Sequence, residues 1–182
     1  KQLWEMPAAD REIKTYINGS EVTFNTGNKN TIGPYLGVNP DSYSDYALLG
    51  DTQDVRETNL INYIRGNHIA SDSFRNRQVT LDIEGAEVEH VWKLGDIAYS
   101  TPLTVSGAVE NYHILYSDRE YNDYRQAVKN RETMVYVGAN DGMLHAFTHG
   151  KNPNGNEYTP VNAGEKLGQE LWAYIPRALL PH

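Results

Sequence analysis

The sequence predicts a mainly β, antiparallel fold. The turn Asn18-Gly19 lies between two β-rich runs, at 12–17 and 20–24, and a second turn, Asp141-Gly142, joins another such pair. Both dipeptides tolerate the positive φ angles that tight hairpin turns require. Helical patterns are few, and the strands come as hairpins without regular alternation with helices, which argues against a parallel sheet.

The other strands follow from short runs of β-forming residues bounded by Gly, Asn or Pro. They are predicted at 78–83 (half-buried), from Tyr99 through Val105, at 133–138 and 143–147 around the second turn, and at 170–175 before Pro176. Two polar stretches without a period, 25–50 and 148–169, are predicted as loops, and the first of them is long and ordered.

Two short helices are predicted, at 55–65 and 118–129. Each start has the spacing of a capping box, given by Asp54 with Glu57 and by Ser117 with Glu120. The expected apolar faces are Leu60, Ile61 and Ile64 in the first helix, which Gly66 would end, and Tyr121, Tyr124 and Val128 in the second.

The composition excludes several classes of function. The 182 residues carry 16 basic and 24 acidic side chains, a net charge of −8. Phosphate contacts drive most nucleic-acid affinity, and a chain with a net negative charge repels phosphate groups. Nucleic acid and anionic membrane surfaces are therefore unfavourable partners. The absence of cysteine excludes disulfides and cysteine-based metal sites. We expect no transmembrane helix and no signal peptide at the first residues, so this would be a processed or excised piece of any exported parent.

A blade-like signature occupies the C-terminal half. The segment S-T-P-L at 100–103 precedes V-Y-V-G-A-N-D-G-M-L-H-A-F at 135–147, and E-L-W at 170–172 follows. This order resembles one repeat of the quinoprotein-type β-propeller. The side chains then expected to face a neighbouring blade are Val135, Val137, Leu144 and Ala146, with Trp172 filling the gap between blades.

More specifically, the chain resembles the β-propeller domain of the PilY1/PilC family of type IV pilus-associated proteins. The resemblance also rests on L-I-N-Y-I-R-G at 60–66, L-G-D-I-A-Y-S-T-P at 94–102 and Y-N-D-Y at 121–124. Insertions at 108–134 and 148–169 lengthen the blade beyond the usual repeat of roughly 40–50 residues.

A full ring of blades needs many more residues than this chain has. The resemblance therefore implies that residues 1–182 are a fragment, with one to two antiparallel blades of a larger quinoprotein-like propeller and two short helices in inserted loops. The expected parts are a hairpin and long loop (10–50), a helix and strand (51–93) and a decorated blade (94–182). An incomplete ring leaves an open blade edge, so we expect the fragment to associate or to need its missing portion.

The resemblance implies a non-catalytic role in type IV pilus assembly, at the tip or as an assembly factor, with surface adhesion or twitching motility. The implied partners are pilins or minor pilins, the pilus machinery, the missing remainder of the propeller, and host or abiotic surfaces. The implied location is the bacterial cell surface, outer membrane or pilus tip. No cofactor is expected in this segment, and the calcium loop known in the family would lie elsewhere in the parent protein.

Two alternatives stay open: a fragment of a quinoprotein-type dehydrogenase, and a periplasmic or outer-membrane assembly scaffold built on the same blades. The dehydrogenase alternative is weakened by the lack of cysteine, since many such enzymes have adjacent cysteines near the cofactor. The scaffold alternative would be favoured by capture of outer-membrane insertion machinery without pilins.

The sequence indicates no catalytic, cofactor-binding or metal-binding residue. Asp96 and Asp141 are interpreted as loop and turn carboxylates rather than as a reacting centre. His145 and His149 have a spacing that does not bring side chains together outside a helix. The segment 87–90, with two glutamates and a histidine, is interpreted as a solvated strand rather than a metal site.

The remaining candidates are a loop and a set of tyrosines. The Asn-rich segment 152–157 is interpreted as a turn-rich loop, because a single carboxylate would bind calcium weakly. Tyr43 and Tyr46 fit a contact surface and a packed rim equally well, whereas core packing is preferred for Tyr121 and Tyr124.

Overall fold

A computed structural model describes residues 3–38, 49–71, 74–83, 85–150, 159–160 and 167–181. Within these ranges the strands are β1 (Ile13–Ile17), β2 (Ser20–Thr23), β3 (Gln78–Ile83), β4 (Ala86–Val91), β5 (Leu103–Val105), β6 (Thr133–Gly138), β7 (Leu144–Gly150) and β8 (Glu170–Tyr174). The α-helices of the same ranges are α1 (Lys29–Ile32), α2 (Gln53–Arg65), α3 (Tyr112–Leu115) and α4 (Arg119–Val128). None of these helices has both the length and the apolar character that a bilayer span requires.

The main sheet has six strands, in the order β2-β1-β8-β7-β6-β5. Its last four strands, β5 to β8, follow one another in sequence and pair antiparallel. This is the arrangement of a single propeller blade. The mainly β prediction is therefore confirmed, and the sheet leaves β2 and β5 as its outer strands.

One strand pair departs from the antiparallel prediction. β1 lies parallel to β8, with Ile13 opposite Ala173. The amide of Ala173 donates to the Glu12 carbonyl at 2.9 Å, and that of Ile175 donates to the Lys14 carbonyl at 2.8 Å. The antiparallel prediction holds for the blade but not for this pair, because the two strands are far apart in sequence and no short hairpin fixes their direction.

Both predicted hairpins are confirmed. Asn18 and Gly19 have φ angles of 51° and 83°, as a tight turn between β1 and β2 requires. The second turn joins β6 to β7, with Gly142 at a φ of 81°. The Asp141 carboxylate accepts a hydrogen bond from the Met143 amide at 3.1 Å, so the predicted turn role of this side chain is also confirmed.

The strand register separates the side chains of the sheet into two faces. Val137 lies opposite His145, and His145 lies opposite Ala173, so these side chains share one face. The other face carries Leu144, Ala146, Tyr136, Trp172 and Tyr174. The prediction that Val135/Val137 and Leu144/Ala146 all face one neighbouring blade is therefore wrong, because successive residues of a strand point to opposite sides.

The hydrophobic core covers the first face of the sheet. Helix α2 and the segment between Phe24 and Val38 pack there, with Ile61 of the helix fully buried. The prediction of a long loop from residue 25 is wrong in part, since short helical turns bury Ile32 and Leu36. Residues 39–48, which include Tyr43 and Tyr46, lie outside the described residues.

The two longer helices exist as predicted, but their caps differ. Thr52 rather than Asp54 caps α2, by accepting a hydrogen bond from the Val55 amide at 3.3 Å. The predicted stop at Gly66 is confirmed by its left-handed φ of 108°. Asp118 rather than Ser117 caps α4, through the Tyr121 amide at 2.9 Å.

One further boundary differs from the predictions. β5 begins at Leu103, and Tyr99 lies fully exposed before it. The predicted strand at 78–83 is confirmed as β3, and it forms a separate two-stranded sheet with β4. β4 contains the segment 87–90, and its solvated strand character is confirmed by the exposure of its glutamates.

We expect Gly95→Ala to destabilise the fold by about 1–3 kcal/mol, because the added methyl group would overpack a close contact. An ideal Cβ at Gly95 would lie 3.0 Å from the Asp141 Cβ and 3.1 Å from the Asn140 carbonyl carbon. Urea unfolding followed by tryptophan fluorescence measures the loss. The control is Gly138→Ala, whose Cβ would meet Ser100 at an ordinary 3.5 Å. Equal stability of the two variants would contradict the role of this contact.

Candidate functional site

A chain of ionic hydrogen bonds runs through the interior of the described fold. His145, fully buried on β7, lies between two carboxylates. Its Nδ1 lies 2.7 Å from Oε1 of Glu170, and its Nε2 lies 3.0 Å from Oδ2 of Asp141. Asp141 also accepts a hydrogen bond from the Gly95 amide at 2.9 Å, so the network reaches from the sheet to the 94–96 loop.

A strand irregularity brings Glu170 to the histidine. The register of β7 and β8 shifts between Ala146 and Phe147, so that Glu170 lies opposite Phe147 rather than one residue further along. A bulge of this kind turns a side chain to the other face of the sheet. It places the Glu170 carboxylate on the same face as the His145 ring.

Arg11 completes the network from the N-terminal segment. Its Nε and Nη2 donate to the two oxygens of Glu170 at 2.8 and 2.9 Å, a bidentate pair. Its Nη1 donates to the Arg65 carbonyl at 3.1 Å, at the end of α2. The guanidinium group of Arg65 in turn donates hydrogen bonds to the carbonyls of Ala8, Arg11 and Phe24. The network therefore joins β7, β8, α2 and the segment before β1.

The charges in this network support one another. Burial alone would lower the pKa of His145, but its hydrogen bonds to Asp141 and Glu170 outweigh burial and raise it. Burial would likewise raise the pKa of Glu170, yet the bonds from His145 and Arg11 lower it. The pKa of Asp141 is lowered for the same reason, against its burial, by His145 and two backbone amides. The two carboxylates thus favour the protonated form of the histidine that lies between them.

The geometry favours a structural role for this network. Both ring nitrogens of His145 are occupied by carboxylates that lie on opposite sides of the ring. No third metal-ligating group converges on the same point among the described residues, and none of their His, Asp and Glu side chains form a cluster of metal-site type. A buried ion pair that satisfies its hydrogen bonds fixes the relative positions of the elements that carry it.

The other predicted residues lie apart from this network. Asp96 is exposed, and its carbonyl accepts the Asn140 amide at 2.9 Å, so the alternative of a buried carboxylate is wrong. His149 is exposed on the same strand as His145, about 13 Å along it. The segment 152–157 lies outside the described residues.

Sequence reasoning missed Arg11 and Glu170 as a pair. The available signal was a charged residue at the start of an otherwise apolar strand in E-L-W, together with a histidine inside L-H-A-F. Such residues are rarely buried unless they are paired. Their partner could not be found from spacing, since Arg11 and Glu170 are 159 residues apart.

Besides the buried network, two exposed surfaces are candidate functional sites. The first is the open face of the sheet, where Tyr16, Leu144, Trp172 and Tyr174 line a shallow cavity of about 290 Å³. Tyr16 is 51% exposed, and the rings of Tyr136 and Trp172 lie 5.8 Å apart. We call this surface the open aromatic face.

The second surface is on the inserted helices α3 and α4, and we call it the tyrosine cluster. The ring of Tyr112 lies 5.9 Å from that of Tyr116 and 5.3 Å from that of Tyr121. Leu115 and Tyr116 are 69% and 74% exposed. No residue of α4 is buried, so the prediction of core packing for Tyr121 and Tyr124 is wrong. The cluster is a solvent-facing apolar patch of the kind that marks interaction sites.

Comparison with known proteins agrees with the blade-like arrangement of the sheet. Residues 94–166 match the family model of the PilY1 beta-propeller domain. The type IV pilus biogenesis factor PilY1 of Pseudomonas aeruginosa strain PAK is 33% identical over 134 residues, 71% of this chain and 9% of the relative. Its counterpart in strain UCBPP-PA14 is 28% identical over 152 residues, 81% of this chain and 10% of the relative.

A similar protein occurs in a second genus. The type IV pilus biogenesis factor PilY1 homolog of Xylella fastidiosa strain Temecula1 is 34% identical over 91 residues, 48% of this chain and 6% of the relative. No solved structure gives a significant match. The chain thus matches about a tenth, or less, of the length of these curated relatives.

The four antiparallel strands and the family-model match define part of a β-propeller domain of a type IV pilus protein. The chain is a PilY1-type fragment. The predictions of this family and of a partial propeller are thereby confirmed.

We expect His145→Ala to lower the free energy of unfolding by roughly 3–5 kcal/mol, because it leaves the buried Glu170 and the partly buried Asp141 carboxylates without their shared cation. Urea denaturation followed by tryptophan fluorescence measures the change. His68, which is exposed, gives the control His68→Ala, and this surface change is expected to stay within about 0.5 kcal/mol. A loss of the same size in both variants would show that the buried network does not stabilise the fold.

The network should also make stability depend on pH. The pKa of His145 is raised above its ordinary 6.5, so its stabilisation is complete below pH 6.5 and is lost as the pH rises through the folded value. The carboxyl pKa values of Asp141 and Glu170 are lowered from 3.8 and 4.5, so their stabilisation is lost as the pH falls through the folded values. The network therefore contributes most between pH 4.5 and 6.5.

Urea unfolding at a series of pH values tests this expectation. On the alkaline side, the free energy of unfolding should decline in the wild type and decline less in His145→Ala. Parallel profiles of the two proteins above pH 6.5 would contradict it.

Proposed function

We propose that this chain is the non-catalytic β-propeller portion of a protein that promotes type IV pilus assembly, and with it surface adhesion or twitching motility, through protein–protein contacts. The observation that carries the proposal is the match of 134 residues to the PilY1 pilus biogenesis factor of Pseudomonas aeruginosa. The corresponding location is the bacterial cell surface, the outer membrane or the pilus tip. Pilins or minor pilins and the assembly machinery are the proposed partners, and host or abiotic surfaces are further ones.

Binding rather than catalysis fits the side chains of the described residues. His145 has both ring nitrogens engaged by carboxylates and so has no free ring nitrogen to act as a base. The proposal assigns no catalytic residue, cofactor or metal to this segment, and calcium binding in the family would use another part of the parent protein. The relatives are named as biogenesis factors, which supports this assignment over a dehydrogenase fragment.

The open aromatic face supports direct packing of the remainder of the propeller against this sheet. Propeller blades pack face to face around a ring, so a blade with one covered face needs a neighbour on the other. Here the core covers the face of Val137 and Ala173, while the face of Trp172 and Tyr174 is left half-buried. We propose that the adjoining blade packs on this face.

The tyrosine cluster is the proposed contact for an external protein partner. It lies on an insertion between β5 and β6, away from the sheet core, and its apolar side chains are exposed. Tyrosine provides a large contact area at a low cost in side-chain entropy. A binding surface on an inserted loop leaves the packing of the blade unchanged.

Deletion of the gene that encodes the parent protein should reduce surface pili and twitching motility, measured by electron microscopy and by the diameter of the twitching zone. Normal piliation in the deletion strain would overturn the assignment to pilus biogenesis. Capture of outer-membrane insertion machinery without pilins, by the tagged parent protein, would instead favour the assembly scaffold.

We expect the double variant Leu115→Ser/Tyr116→Ser, restored to the deletion strain, to reduce the twitching zone at least about threefold, because loss of a buried contact of roughly 1–2 kcal/mol weakens binding several-fold. The matched control is Tyr99→Ser, since Tyr99 is fully exposed but lies outside the cluster. Equal amounts of surface protein, checked by immunoblot, exclude a folding defect. Full twitching in the double variant would remove the cluster from the proposed contact.

A further inference from the structure

A second cavity of about 430 Å³ lies between the end of β5 and the C-terminal end of α4. We propose that it binds a compact oxyanion with a charge of about −2, either a phosphate group or a dicarboxylate. The cavity is lined by three basic side chains, Arg125, Lys129 and Arg131. This proposal does not depend on the assignment to pilus biogenesis.

The charge of this cavity is opposite to that of the chain. The protein has a net charge of −8, yet no acidic residue lines the cavity. None of the three basic side chains forms an ion pair with a carboxylate of the described residues. Glu132, the acidic neighbour in sequence, accepts a hydrogen bond from Thr148 instead. An anion in this cavity would therefore be attracted by three basic side chains and would meet no acidic residue in the lining.

Arg125, whose side chain lines the cavity, also has an unmet hydrogen-bond donor. Nε of Arg125 is buried and has no partner among the described residues. Buried polar atoms are nearly always paired, so an unpaired one indicates a missing acceptor. The guanidinium group donates in a planar fork that matches the oxygens of a carboxylate or a phosphate.

The backbone holds the cavity walls close together. A Cβ built on Gly107 would lie 2.7 Å from the Val128 carbonyl oxygen and 3.3 Å from the Lys129 Cα, so the strand end and the helix end touch at this glycine. The Arg131 amide donates to the same Val128 carbonyl at 2.9 Å, which fixes the turn after α4. Basic residues near a helix C-terminus also stabilise the helix dipole. That effect does not explain why Arg131, beyond the helix, lines the same cavity.

Isothermal titration calorimetry on the complete protein tests the proposal. Orthophosphate, glycerol phosphate and succinate are titrated separately at low ionic strength, with chloride at matched ionic strength as the reference. We expect saturable binding with a Kd on the order of 1 mM or tighter for at least one oxyanion. Binding of both phosphates without succinate identifies a phosphate ligand, and the reverse identifies a dicarboxylate. No binding beyond that of chloride would overturn the proposal.

Three variants locate the binding. Arg125→Gln should weaken it about tenfold or more, because it removes a charge-assisted hydrogen bond. Lys129→Gln should weaken it less, and since Lys129 is exposed, this variant keeps the test valid if Arg125→Gln unfolds. Arg119→Gln, at the start of the same helix and outside the cavity, is the matched control. Unchanged affinity in both cavity variants, or an equal loss in the control, would place any anion binding elsewhere.

Discussion

The bidentate pair between Arg11 and Glu170, extended through His145 to Asp141, is the interaction on which the rest of the structure depends. A buried carboxylate is stable only when it is paired, and here each one has a cation or backbone donors around it. The network crosses the boundary between the N-terminal segment and the blade. Together with the backbone hydrogen bonds between β1 and β8, it fixes the distance between these two parts of the chain.

The same interaction explains why the main sheet has six strands. A four-stranded blade is complete at β8, and β1 extends it only through the short parallel pairing around Ala173. Arg11 lies two residues before β1 and holds that strand against β8. Arg65 also holds this hairpin, because it donates to the Arg11 carbonyl before β1 and to the Phe24 carbonyl after β2. The hairpin of β1 and β2 is thereby added to the blade together with α2.

Local features of the fold could be predicted from the sequence, and long-range features could not. The turns at Asn18-Gly19 and Asp141-Gly142 were predictable because a glycine with a positive φ is a local requirement. The direction of β1, the bulge that turns Glu170, and the helical turns that bury Ile32 depend on distant partners. The cap of α2 was assigned to Asp54 because its spacing to Glu57 was favourable, whereas Thr52 has the required extended backbone. For the site, the histidine was visible in the sequence, but its role depended on Arg11, which no local pattern distinguished.

The parallel pairing of β1 with β8 has a consequence for the order of folding. The Thr15 hydroxyl donates to a carbonyl that lies 160 residues further along the chain, so β1 can pair with β8 only after the residues between them have been synthesised. Closing a loop of that length costs roughly 4–5 kcal/mol in chain entropy from its length alone. The antiparallel strands of the blade close much shorter loops and can form first. The hairpin of β1 and β2 is therefore expected to dock after the blade strands have paired, and the buried ionic network forms only once β8 is available.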